Sequence, residues 1–344
     1  MKAVAVTRPD DVAMVEVAKP TPGPYQALVR TEVALLCNAT DSKIIAGHFP
    51  GVNGYPLVLG HESAGIVEAV GEKVRNFKVG DRAIGGLVLD FQDPQIQSAW
   101  GGFCEYTLCN DHGAMVNDRV ADEEHGWREC FEIQQAVPLD IAPEAAGLLC
   151  MWREVLGAFS DFHFSKGEEL LVFGAGPVGL SFVKLGRLLG MRYIAAVDPL
   201  PHKRLKAAAL GAHETFSPND DFTALVRRRG RPFDAVVDAV GLPAIINTAL
   251  PLIKMSGTIA IYGVIADDVI PISKSRGPYN FNLIVHQWPT RHRERAALGP
   301  LCGWIRQDAL KPEDFISHEF PIDRIHDALA AIKRGEVIKA LLRY

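Results

Sequence analysis

Glu169-Leu-Leu-Val-Phe-Gly-Ala-Gly-Pro-Val-Gly179 is the stretch that decides the fold. Its first five residues read as a buried strand, and the rest as a turn that opens a helix over 177–190. Gly174, Gly176 and Gly179 follow the spacing G-x-G-x-x-G. The string alone is weak evidence; a strand before it, a helix after it and Asp198 closing the next strand make it strong. Glycines allow the tight turn and bring a pyrophosphate close to the helix N-terminus, where the dipole favours negative charge. Pro177 stands in the first helical turn, where a missing N–H costs nothing. Gly174, Gly176, Pro177, Val178 and Gly179 are therefore expected to cradle a dinucleotide. Asp198 is expected to bind the adenosine ribose hydroxyls and to repel a 2′-phosphate, which predicts NAD over NADP. Lys203, counted among the cofactor contacts, and Arg204 weigh against that preference. The plain alternative is a glycine-rich turn that serves packing alone.

Outward from this turn, strands and helices alternate. Tyr193-Ile-Ala-Ala-Val-Asp198 reads as the next strand, and 202–210 as a helix stopped by Gly211. Asp234-Ala-Val-Val-Asp238 and Thr258-Ile-Ala-Ile-Tyr262 read as two more strands around a helical 243–254. Such alternation predicts a doubly wound parallel sheet. Val240, Gly263 and Val264 stand where its strands end, and are expected to flank the cofactor.

Residues 1 to about 110 follow another grammar, with short alternating runs between turn signals such as Pro22-Gly23-Pro24, which suits an irregular antiparallel β-domain. A helical 325–333 and a strand near Lys339-Ala-Leu-Leu342 are expected to return to it. Residues 111–131, with six acidic residues and little periodicity, read as a surface loop or insertion.

The chain of 344 residues is long enough for two cores. A hydrophobic content of 48%, a charged content of 22% and a net charge of −5 argue against a nucleic-acid or anionic-membrane partner. No apolar stretch approaches the ~18 residues of a membrane span. Met1-Lys2-Ala3-Val4-Ala5-Val6 reads as a strand and not as a signal sequence, so a cytoplasmic protein is expected. Six scattered cysteines are too few for a disulfide framework.

Cys37 lies in Leu35-Leu-Cys-Asn-Ala-Thr-Asp41, and His61 in Gly60-His61-Glu62. Taken singly, His61 reads as a structural histidine and Cys37 as a small buried hydrophobe. Taken together, thiolate and imidazole donors suit Zn²⁺ with a position left open for substrate.

The chain resembles the medium-chain dehydrogenase/reductase superfamily, in its zinc-containing alcohol and polyol branch that includes sorbitol- and threonine-dehydrogenase-like enzymes. The residues that carry the likeness are Gly60-His61-Glu62-x-x-Gly65-x-Val67-x-x-Val70-Gly71, Val79-Gly80-Asp81-Arg82, the glycine fingerprint, Asp238-Ala-Val-Gly241 and Ile338-Lys339. The resemblance implies a GroES-like catalytic domain over 1–149, completed by 290–344, and a Rossmann NAD-binding domain over 150–289. It implies Cys150 as the third metal ligand beside Cys37 and His61, with Glu62 as a carboxylate that coordinates transiently. It implies Asp41 as the carboxylate that orients His61, and Lys339 as a contact of the pyrophosphate.

The same resemblance implies one zinc per chain, because the family's four-cysteine lobe has no counterpart around Cys104 and Cys109. Thr40 is the hydroxyl expected to steady the alkoxide, although two residues separate it from Cys37 where the family commonly has one. Lys43 stands where a relay histidine is common, and His48 is its alternative. Phe49, Trp152 and Trp288 are expected to line the substrate pocket. By analogy a homodimer or homotetramer is expected. The function implied is hydride transfer between a secondary alcohol, polyol or sugar and NAD. The rivals are a zinc-free quinone or enoyl reductase of the same superfamily, and a non-enzymatic nucleotide-binding homologue.

Overall fold

A computed structural model describes residues 1–49 and 54–344. The chain divides into two units, Met1–Met151 with Leu298–Tyr344, and Trp152–Ala297. The second unit holds a six-stranded sheet, ordered Glu214–Phe216, Tyr193–Val197, Glu169–Phe173, Phe233–Asp238, Ile253–Ile261, Asn282–Val285. Every pairing in it is parallel. In chain order the strands stand 3-2-1-4-5-6, the arrangement of doubly wound dinucleotide folds.

All residues of the two central strands, Glu169–Phe173 and Phe233–Asp238, are buried, as a parallel sheet covered on both faces requires. Glu169 and Asp234 tolerate this because Arg192 lies 2.8 Å from the first and Lys254 2.7 Å from the second. The edge strands Glu214–Phe216 and Asn282–Val285 escape the sequence reading; three or four part-exposed residues carry no usable period. The segment 243–254 is not one helix. Helix Pro243–Ala249 gives way to a 3₁₀ turn, and the strand already starts at Ile253.

In the first unit, Gln26–Leu36 is the central strand of a seven-stranded sheet. Ser63–Val70 pairs antiparallel on one side, with Ala34 against Ser63. Lys339–Arg343 pairs antiparallel on the other, with Ala340 against Leu36. These registers bring three strand ends together: the one that runs into Cys37, the one preceded by Glu62, and the one that begins at Lys339. Beneath them, Val4, Val6, Leu36, Ile44, Leu59, Phe103 and Leu342 form one apolar core.

Residues 111–131 are more than a surface loop. They carry helix His112–Asn117 and two 3₁₀ turns, Glu123–His125 and Glu129–Phe131. Ala114, Met115 and Phe131 are buried, so the segment is anchored by a few apolar residues spaced too irregularly to show a period.

Candidate active site

Cys37, His61 and Glu62 offer one ligand atom each, and these atoms all lie within 4.8 Å of one another. The register explains the convergence: the Leu35 N–H donates to the Glu62 carbonyl at 2.9 Å, so Cys37 leaves its strand beside His61-Glu62. A thiolate, an imidazole and a carboxylate at this spacing fit a zinc ion. Glu62 Oε2 is buried with no hydrogen-bond partner among the described residues, as an oxygen reserved for a cation would be.

Asp41 sits in the first turn of helix Thr40–Ile45 and ties two of these residues together. Its Oδ2 accepts the Cys37 N–H at 2.8 Å, and its Oδ1 lies 3.7 Å from His61 Nδ1. Burial pushes its carboxyl up to about 7; the charges of Cys37 and Glu62 add to the rise and His61 opposes it.

Lys339 has a role the sequence did not suggest. Its ammonium donates to Glu62 Oε1 at 2.7 Å, with both side chains nearly excluded from solvent. Burial disfavours the charged ammonium, but the charges of Glu62, Cys37 and Asp41 outweigh it and raise its pKa. Lys339, expected at a pyrophosphate, has its ammonium at the metal-capable cluster. The partners are 277 residues apart, so only strand register reveals them.

Cys150 is not in the cluster of three. It is buried on helix Pro143–Asp161, with Sγ 3.8 Å from the carbonyl of Ser63, the residue after Glu62. Thr40 is buried at the start of its helix, and His48 is exposed one turn beyond Lys43. Of the expected pocket residues, Phe49 packs edge-on against Trp100 with ring centroids 5.7 Å apart. Trp288 is part-exposed, with the Arg291 guanidinium 5.2 Å from its ring centroid. Trp152 has no exposed surface at all, so it presents nothing to a solvent-filled pocket; the alternation of faces on a long helix turned it into the core. Trp100, which the sequence reading passed over, lies 5.2 Å from the His61 ring. Cys104 and Cys109 belong to two separate apolar cores, and burial pushes the Cys104 thiol up, which leaves it inert.

In the second unit, the three fingerprint glycines have three different reasons to be glycine. Gly174 has φ +94, and a Cβ there would meet Val240 Cγ2 at 2.7 Å. At Gly179 a Cβ would fall 1.7 Å from the Gly174 carbonyl oxygen. Gly176, which precedes Pro177 at the helix start, has open space where a Cβ would stand. That open ground over a helix N-terminus fits the close approach of a pyrophosphate.

Asp198 accepts the N–H groups of Ala175 at 2.8 Å and Leu200 at 2.9 Å, one on each oxygen. A carboxylate has about four acceptor positions, so it keeps capacity for ribose hydroxyls. The Arg204 guanidinium is spent on the carbonyls of Asp198 and Pro199. Asp238, fully buried, accepts the N–H groups of Val240, Gly241 and Leu242, which fixes the strand-end turn that carries Val240.

A doubly wound dinucleotide unit and a β-rich unit with a zinc-type donor set define a zinc-dependent dehydrogenase. The alcohol dehydrogenase GroES-like domain model matches residues 23–123, and the zinc-binding dehydrogenase model matches 177–287. The chain belongs to the zinc-containing alcohol and polyol dehydrogenases of the medium-chain superfamily, oxidoreductases of CH–OH donors. It is 27% identical to an alcohol dehydrogenase of Cupriavidus necator, covering 100% of this chain and 98% of that one. It is 24% identical to the starvation-sensing protein RspB of Escherichia coli, over 98% and 96% of the two chains. The solved structure of alcohol dehydrogenase TADH from Thermus sp. ATN1 superposes with a TM-score of 0.79 at 23% identity, covering 100% and 99%.

Proposed function

We propose that the protein transfers hydride between a secondary alcohol, polyol or sugar and NAD at a site with one zinc ion. The convergence of Cys37, His61 and Glu62 within 4.8 Å carries this reading. Cys37 and His61 would hold the metal, with Cys150, beside Ser63, as third ligand and Glu62 as the carboxylate that takes its turn. When bound, the ion supplies Lewis acidity that lowers the pKa of the substrate hydroxyl.

The chain's own groups supply the rest. Asp41 fixes the Cys37 backbone and faces His61 Nδ1, which leaves Nε2 as the ligand atom. Lys339 donates to Glu62 Oε1 and sets a positive charge beside that carboxylate. The Thr40 hydroxyl, at the start of its helix, accepts the substrate proton and passes it outward through Lys43 or His48. In the second unit Gly174, Gly176, Pro177, Val178 and Gly179 hold the pyrophosphate, and Asp198 with Lys203 the adenosine ribose. Val240, Gly263 and Val264 flank the nicotinamide, while in the first unit Phe49 lines the substrate pocket.

A second copy would pair at the edge strand Asn282–Val285, whose outer backbone groups face no strand of this sheet and whose Val285 is exposed. A homodimer or homotetramer in the cytoplasm, where thiolate ligands stay reduced, is the proposed state.

The test is NAD reduction across secondary alcohols, alditols and sugars, with zinc measured on the same preparation. One zinc per chain and alcohol oxidation are expected, and Cys37→Ala should lose both. Full activity in Cys37→Ala would sink the zinc reading, and a lower KM for NADP than for NAD would sink the role given to Asp198.

A further inference from the structure

We propose that a cavity within the first unit is a second ligand site, for a small carboxylate with an apolar body. The cavity holds about 540 Å³, within the range of small-molecule sites. Gln26 and Asn110, which pair across two strands, line it together with Leu87, Leu108, Phe131 and Arg128. Gln26 begins the long strand that runs into Cys37, so this site lies about 30 Å along that strand from the metal-capable cluster.

The polar wall offers donors, and backbone groups at both ends fix their orientation. Gln26 Oε1 accepts the Gly23 N–H at 2.9 Å, so its Nε2 is the atom that donates to Asn110 Oδ1 at 3.0 Å. Gln134 Oε1 accepts the Asn110 backbone N–H at 2.6 Å and Asn110 Nδ2 at 3.0 Å. Gln134 Nε2 spends both of its hydrogens, on the carbonyls of Gly85 and Leu108. Gln26 and Asn110 spend one each, which leaves two side-chain N–H groups without a partner among the described residues.

The exposed Arg128 guanidinium has no hydrogen-bond or ion-pair partner among those residues either. The other charges along the wall are committed. Lys19 Nζ lies 3.7 Å from Glu68 and 3.5 Å from the Tyr106 ring centroid, and both Asp90 oxygens accept from Gln92. None of the six acidic residues of 111–131 lines the cavity. Unspent N–H groups beside an unpaired guanidinium call for an anionic acceptor, and the planar fork suits a carboxylate. Half-buried Leu108, on the strand face opposite the core that holds Cys109, offers its side chain to the ligand's apolar body. Arg128 and Phe131 belong to the acidic segment and Gln26 to the sheet, so a bound ligand ties the two together.

The test is calorimetric titration of the zinc-loaded, NADH-bound protein with 4-phenylbutyrate, octanoate, the methyl ester of the former and inorganic phosphate. Hydrogen exchange of 111–131 is read alongside. At least one carboxylate should bind with a Kd of about 1 mM or lower, and the ester and phosphate about tenfold more weakly. Arg128→Gln should raise the Kd about tenfold to a hundredfold. Thr21→Glu, which sets a carboxylate at the exposed rim, should raise it as well. Zinc content, NADH binding and alcohol oxidation should hold in both variants, and bound ligand should slow amide exchange in 111–131. Binding of neither carboxylate would overturn the proposal, as would a Kd that Arg128→Gln leaves unchanged. Competition between carboxylate and alcohol would also overturn it, by placing the ligand at the metal-capable cluster. Phosphate binding tighter than either carboxylate would overturn the choice of ligand.

Discussion

The nucleotide turn and the metal-capable cluster are both made of short motifs, yet they are built in opposite ways. The turn lies within one strand–turn–helix unit, and the carboxylates at the ends of the two adjoining strands are satisfied by backbone: Asp198 takes two N–H groups and Asp238 takes three. The cluster is assembled from strand ends 24 and 277 residues apart, and it keeps buried polar atoms on Asn38, Asp41, His61 and Glu62 that have no hydrogen-bond partner among the described residues. A site complete before its ligand arrives contributes to stability on its own. One that holds unmatched charges depends on Lys339, and on a metal, to balance them.

Lys339→Met is the sharpest way to break that contrast. It leaves Glu62 buried without its counter-charge, and loss of one partner of such a pair costs about 3–5 kcal/mol. The loss should be largest without zinc and shrink when zinc is added, because a cation then faces Glu62 again. Thermal unfolding with and without zinc reads this directly; an equal loss in both states would detach Lys339 from the metal.

In the second unit, Gly179→Ala and Gly176→Ala separate packing from binding within one turn. The first drives a Cβ onto the Gly174 carbonyl and should destabilise by about 3 kcal/mol. The second enters open space, so Tm should hold while the Kd for NADH rises. If Gly176→Ala leaves NADH binding untouched, the turn serves packing alone.

The smallest effect is expected at Asp111, where a capping carboxylate holds the acidic segment. Burial alone would raise its pKa, but hydrogen bonds from Asn76, Arg75 and Ala114 outweigh it and hold the carboxyl below its usual value. Its contribution is therefore present above the unfolded pKa of about 3.9 and lost as pH falls through the lower folded value. Asp111→Asn should cost about 1–2 kcal/mol at neutral pH. The gap to the natural protein should close in acid, as pH-dependent melting would show.

The two regions also differ in how much of them was legible. The parallel sheet was readable because its central strands hold apolar runs such as Leu170–Phe173 and two of its helices start at Pro177 and Pro201 and end just before Gly190 and Gly211. Its short edge strands were not, since part-exposed runs of three or four residues carry neither period nor continuity. In the other unit Cys37, His61 and Glu62 could be named because thiol, imidazole and carboxylate are chemically distinctive. Cys150 came from family spacing alone, and the structure leaves it outside the cluster of three. Trp152 looked like a pocket residue and is core, because local sequence does not say which face of a helix is covered.

By itself, then, the sequence determined what depends on local chemistry: a phosphate-cradling turn, a strand-end carboxylate and a donor set suited to zinc. Tertiary structure alone decided which distant groups share a site. Lys339 meets Glu62, and Asn38 meets Ile338, only because two antiparallel registers on one central strand place those chain segments side by side. Register is set by hydrogen bonds and packing summed over whole strands, and no single residue carries it.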